Sequence, residues 1–337
     1  MAPDDRGHQD GELIVKDHSQ RKIAATVLKF AWTIAVLACV MIVVVRNGEV
    51  FRQLEMGPRV WILLSLSLLT TMLRRLLAGL RWSLLVKWYS DRQQQPSLSQ
   101  SLRVFFVANL AAYLPGTYWF IAWRLVLNRK FGVGSLQTAV VTVLEQFLLV
   151  CSGGLVTLVG MGTFARWTND ALRLTWMISL LTVIGLVLIH PKSYQFVVRT
   201  IKKRFNRDIP NVSISYPAMI GLLALSLFTW ILGSLSLWFL MAIWLPQLSL
   251  GNLWEIAPIF AGSWLIGYFT PIAPSGLGVR EGVMAIALTT LNLSTAAGFI
   301  LAMLSRLVIV LADLLGAGIC WLLLPGISSK TDISKSA

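Results

Sequence analysis

What most constrains this chain is a set of apolar runs about twenty residues long. TVLKFAWTIAVLACVMIVVV at 26–45 and ALRLTWMISLLTVIGLVLIH at 171–190 are two of them. At about 1.5 Å rise per residue, each reaches about 30 Å as a helix, the thickness of a bilayer's hydrocarbon core. Composition agrees. Only 13% of residues are charged, against about 25% in soluble domains, so the chain cannot cover a water-facing surface. Barrel strands would alternate apolar and polar residues over about ten positions, and no such alternation occurs. The expected fold class is an all-α polytopic integral membrane protein.

Residues 1–22 are polar and mixed in charge. They lack the basic start and short apolar core of a signal peptide, so the first span is expected to remain as an anchor. Residues 23–325 are expected to form one transmembrane domain and 326–337 a C-terminal tail. Cys39, Cys151 and Cys320 fall in three separate apolar segments, at a spacing that fits no zinc or CxxC pattern. Free, packed thiols are expected. His8 and His18 lie in the tail, and His190 ends a span before Pro191. No metal site and no cofactor is expected.

The net charge of +14 raises nucleic acid as a partner, and the distribution of charge argues against it. Basic residues gather between the apolar runs, as the positive-inside rule requires. The densest cluster is PKSYQFVVRTIKKRFNRD at 191–208, with six Lys and Arg against one Asp. The stretch 191–210 reads as a cytoplasmic loop lying against anionic lipid headgroups.

Six stretches are long enough to cross alone: about 26–45, 60–82, 136–162, 171–190, 216–244 and 297–324. Four are too short: about 102–114, 118–127, 253–270 and 282–291. The short ones form two pairs, split by YLPGTYW at 113–119 and by TPIAPSGLGVREG at 270–282. Proline removes a backbone donor and glycine admits unusual backbone shapes. Irregular backbone at membrane depth persists only where protein or a wet cavity surrounds it. Interrupted segments at matching places in two halves point to a transport site. The elements to test are therefore Pro115 and Gly116 in the first half, and Pro271, Pro274, Ser275, Gly276 and Gly278 in the second. With both termini in the cytoplasm, every strongly basic stretch also lands there, and the two broken pairs enter from opposite faces.

The halves, about 60–162 and 216–324, carry a weak internal echo suggesting an inverted repeat. In each, a Pro/Gly stretch leads to a basic residue, Arg124 or Arg280. A short helix follows, then a serine suited to cap the next helix, Ser135 or Ser294. About three turns further on comes a charged residue, Glu145 or Arg306.

A charge at mid-bilayer costs about 2.5–3.5 kcal/mol on insertion scales, so each such residue needs a reason. Glu145 has no basic neighbour on its own helix and must find a partner elsewhere, as a substrate contact or in a structural pair. Glu281 falls in the first turn of a helix, where the dipole favours it. Arg280, beside exposed backbone N–H groups, suits an anion such as a lipid phosphate. Arg306 and Asp313 lie seven apart on one helix. Pairing with Glu281 and Arg280, or with each other through water, is open to them. Arg74, Arg75 and Arg81 read as snorkelling from one end of the second span. Asn109 suits either a cavity contact or a helix–helix hydrogen bond. Most tryptophans read as interfacial belt.

These motifs resemble the lysylphosphatidylglycerol synthase transmembrane region, a flippase-like domain family. The strongest match is PSGLGVREG at 274–282, close to the family's Pro-Gly-Gly-Leu-Gly-Val-Arg-Glu, with Ser275 for the first Gly. Supporting matches are Arg81-Trp82, Asn109 with Leu114-Pro115-Gly116, Arg124, the GVGS stretch before Glu145, and Arg306. Two departures stand out. Thr117-Tyr118-Trp119 replaces the acidic residue usual after the first Pro-Gly, and Glu145-Gln146 stands where Glu-Arg is common. The resemblance implies movement of a phospholipid or lipid-linked sugar between leaflets of the cytoplasmic membrane. About a dozen residues follow the last span, so the soluble aminoacyl-transferase domain of the larger synthases is not expected. Arg280, Glu281, Glu145, Arg306, Arg124 and Asn109 are the expected substrate contacts. A glycosyltransferase or lipid-synthesis enzyme is an expected partner. The rival reading is a membrane-embedded transferase or an accessory partner in envelope biosynthesis. It is disfavoured because the carboxylates are isolated, whereas such chemistry needs a general base or a metal-binding set.

Overall fold

The computed structural model describes residues 57–90, 95–113, 119–160, 214–270 and 276–323, together with 179–180, 182–187 and isolated positions between 193 and 203. The expected spans at 26–45 and, for the most part, 171–190 lie outside the described residues. So do Pro115, Gly116, Pro271, Pro274, Ser275, Cys39 and most of the basic loop. Among the described residues the ordered elements are helical, with no strand.

Four helices are long and apolar enough to cross a membrane: α1 (Pro58–Tyr89), α4 (Ser135–Val159), α5 (Tyr216–Met241) and α8 (Thr295–Leu323). Four are shorter: α2 (Leu98–Leu110), α3 (Trp119–Arg129), α6 (Leu253–Tyr268) and α7 (Val279–Leu288). The order long, short, short, long occurs twice, in α1–α4 and in α5–α8. The short pairs fall where the Pro/Gly breaks predict them.

Local chemistry sets the ends. Pro58 opens α1 at a position that needs no donor. Ser97 caps α2 reciprocally with Gln100, whose backbone N–H donates to Ser97 Oγ at 3.2 Å while its side chain accepts from the Ser97 N–H at 2.9 Å. Ser294 Oγ accepts from the Ala297 N–H at 3.2 Å, as a cap should. Ser135 does not cap α4. Gly134 holds that position, its N–H donating to the Gln137 side chain at 2.8 Å. Ser135 instead accepts from Arg129 Nε. A side-chain amide three residues on satisfies the helix start as well as a serine would.

The long helices α1 and α5 pack along each other through small polar residues. Ser236 Oγ lies 2.8 Å from both Ser67 Oγ and Thr71 Oγ, all buried. Lipid tails are as apolar as leucine, so close approach and interhelical hydrogen bonds hold such a seam. One apolar cluster gathers α1, α2 and α4 around Trp82, Phe105 and Leu144. A second gathers α5 to α8 around Trp230, Phe260 and Met284. Trp82 and Trp230 are therefore core residues and not interfacial belt. Trp61, Trp254 and Trp321 are exposed near helix ends. Cys151 and Cys320 are free and buried.

Candidate functional site

Between the two clusters lies a cavity of about 220 Å³, lined by side chains from both halves. Its walls carry six aromatic side chains, and five of its polar side chains are guanidiniums. Arg74, Arg75 and Arg81 enter from α1, Arg280 from α7 and Arg306 from α8. Glu145 and Asp313 are the carboxylates in the wall.

The three arginines of α1 correct the sequence reading. With a span ending near residue 82, they read as lying towards one end of it and snorkelling from there. The helix continues to Tyr89, so Arg74 and Arg75 sit at its middle, facing inward. Arg81 is 2% exposed. It donates to Ser226 Oγ at 2.6 Å and lies 3.6 Å from Glu145. Nothing in this arrangement snorkels.

Glu145 is held by two arginines, Arg81 and Arg124. Arg124 itself is buried, its guanidinium carbon 4.1 Å from the centre of the Trp82 ring, 5.3 Å from that of Phe105 and 5.4 Å from that of Phe120. Cation–π contact of this kind compensates a charge removed from water. Asn109 Oδ1 accepts from Arg124 Nη2 at 3.4 Å.

The second half repeats this pairing with the signs exchanged. Glu281 is on the short helix and Arg306 on the long one. Arg306 Nη1 donates to Glu281 Oε1 at 2.6 Å, and the Gly278 N–H donates to Glu281 Oε2 at 2.7 Å. Glu281 thus caps its own helix and fixes Arg306 at the cavity wall. Asp313 pairs neither with Arg280 nor with Arg306. Arg75 Nη2 donates to its Oδ2 at 2.5 Å, and the Tyr113 hydroxyl donates to the same oxygen at 2.6 Å.

Arg280 is presented by a glycine turn. Gly276 and Gly278 have φ of 66° and 86°, values that L side chains rarely adopt. A Cβ on Gly276 would lie 2.7 Å from the Gly267 carbonyl oxygen, and one on Gly267 would lie 2.9 Å from Arg280 Cβ. The turn therefore presses on α6 and delivers Arg280 into the cavity. Its guanidinium carbon is 5.4 Å from the centre of the Phe260 ring. The residue is 8% exposed, and its Nη2 has no hydrogen-bond partner among the described residues.

Of the expected substrate contacts, Arg280, Glu145, Arg306 and Asn109 line the cavity, as does Gly276. Arg124 and Glu281 stand behind it, each fixing a lining residue of opposite charge. Sequence reading missed Arg74, Arg75, Tyr113 and Phe260. The spacing of Arg74, Ala78 and Arg81 on one helix face was the available signal.

These features define a polytopic α-helical membrane protein whose broken short helices surround an arginine-rich internal cavity. A family model described as the lysylphosphatidylglycerol synthase TM region matches residues 27–317. The chain belongs to that family. No curated protein and no solved structure matches it.

Proposed function

We propose that the protein moves a lipid with an anionic headgroup between the leaflets of the cytoplasmic membrane. The observation that carries this reading is Arg280: buried, facing the cavity, and with a guanidinium nitrogen unengaged among the described residues. An intramembrane charge of this kind is expensive to keep and marks a substrate path. The carboxylates in the core, Glu145, Glu281 and Asp313, are each held by an arginine. That disfavours a general base and leaves cationic groups to meet the ligand. The twice-repeated element order supports two related halves rocking about the cavity, with the basic stretches in the cytoplasm.

The test is transfer of fluorescent phospholipids and a polyprenyl phosphate between leaflets of proteoliposomes. Arg280→Glu is the control, checked for expression and monodispersity. Transfer by the native chain and its loss in the variant are expected. Unaltered transfer by folded Arg280→Glu protein overturns the assignment of the site.

A further inference from the structure

The charges around the cavity do not balance, and the imbalance specifies a ligand. Arg74, Arg75, Arg81, Arg124, Arg280 and Arg306 face three carboxylates. Asp313 takes Arg75, Glu281 takes Arg306, and Glu145 takes both Arg81 and Arg124. Arg74 and Arg280 are left without a salt bridge among the described residues. The stretches next to the site in sequence, 114–118 and 271–275, contain no Asp or Glu.

These two arginines converge on one side chain. The guanidinium carbon of Arg74 is 5.5 Å and that of Arg280 is 5.4 Å from the centre of the Phe260 ring. They can be no farther apart than the sum of those distances, and both line the cavity. Gly233 of α5 makes the convergence possible. A Cβ there would lie 2.5 Å from the Phe260 ring and 3.2 Å from Arg74 Cδ. The ring's π face offsets part of the cost of each cation, but the two like charges still repel. A phosphodiester brings one negative charge and leaves one arginine uncompensated. A phosphomonoester brings about two at neutral pH, a diphosphate monoester at least as many, and either has oxygens enough for two guanidinium forks.

We propose that Arg74 and Arg280, gathered on Phe260, form a two-arginine site for a phosphomonoester or diphosphate, carried on a lipid, in preference to a phosphodiester. That the carrier is a lipid rests on the translocation reading; the preference for a dianion rests on the geometry alone.

The experiment measures binding to the full chain purified in detergent, by calorimetry. The probes are geranyl diphosphate, geranyl phosphate, short-chain phosphatidylglycerol and inorganic diphosphate. Both geranyl phosphates are expected to bind about tenfold or more tighter than phosphatidylglycerol, since charge-assisted contacts to a second guanidinium are gained. Arg74→Gln should erase that ratio, and Arg74→Lys should keep part of it. The ratio is read on whatever fraction is folded, so partial loss of protein does not obscure it. Equal affinity for diester and dianion, or a ratio that survives Arg74→Gln, overturns the proposal. Inorganic diphosphate binding as tightly as geranyl diphosphate would assign the site to a soluble anion and overturn its lipid part. A dianion preference without any leaflet transfer sustains this site and overturns the translocation reading. Transfer without the preference does the reverse.

Discussion

Arg306 of α8 reaches across to Glu281 of α7 at 2.6 Å, while the second oxygen of Glu281 caps the helix that carries it. One carboxylate therefore fixes both a backbone terminus and a cavity wall. Glu281 is 1% exposed and Arg306 lines the cavity. Removing the arginine would strand a buried negative charge. Arg306→Met is expected to destabilise the protein by about 3 kcal/mol or more. Arg306→Met with Glu281→Gln should recover part of that, because the amide removes the stranded charge and still caps. Thermal unfolding in detergent compares the two. A double variant less stable than the single would show that the pair is not the source of the loss.

Arg124 makes a different use of the same chemistry. Its planar guanidinium lies against Trp82 while pairing with Glu145. Lysine keeps the charge but neither the flat stack nor the fork. Arg124→Lys is expected to cost about 1–2 kcal/mol of stability, the range of a desolvated cation–π contact. Trp82→Leu in the Arg124→Lys background should then add less than it does alone. Additive losses in that double-mutant cycle would mean the stack contributes nothing.

Gly276 tests whether the turn positions Arg280. Alanine there must accept φ of 66° and a contact at 2.7 Å with the Gly267 carbonyl oxygen. Gly276→Ala is expected to cost about 1–3 kcal/mol in strain and to reduce lipid transfer more than Gly282→Ala, where the added Cβ meets nothing within 4 Å. Similar transfer by the two folded variants would separate the turn from function.

How much of this was legible in the sequence follows from what each signal reports. Four of the six expected spans and the two short pairs could be read, because hydrocarbon demands long apolar helices and Pro/Gly interrupts them. Glu145 and Arg280 could be marked, because an isolated charge in an apolar run is expensive wherever it lies. The Arg306–Glu281 pair was among the options the sequence left open, but the partners of Glu145 and Asp313 could not be read. Glu145 draws on Arg81 and Arg124 from two other helices, and Asp313 draws on Arg75 and Tyr113. Periodicity reports the face of a helix, not what faces it. The α1 arginines were misread for a separate reason. A span read to end near 82 puts Arg81 at its end, whereas α1 runs on through Lys87 to Tyr89. Arg74 lies near the middle by either boundary; that it faces a cavity is what hydropathy does not report.

Asp313 offers a gain-of-binding test. It is fully buried in the cavity wall, where it neutralises Arg75 and accepts from Tyr113. Asparagine retains an acceptor oxygen and nearly the same shape but gives up the charge. The cavity then carries one more uncompensated cation. Asp313→Asn is therefore expected to bind geranyl phosphate about threefold to tenfold more tightly, the scale of one added charge near a partly screened anion. The gain should shrink as salt rises, because screening acts where the cavity is wet. Release should slow with tighter binding, so leaflet transfer is expected to fall even as affinity climbs. Calorimetry and the transfer assay on one preparation read both quantities. Weaker binding by the folded variant would mean that Asp313 holds Arg75 in the geometry the anion needs, and that the charge count does not set affinity.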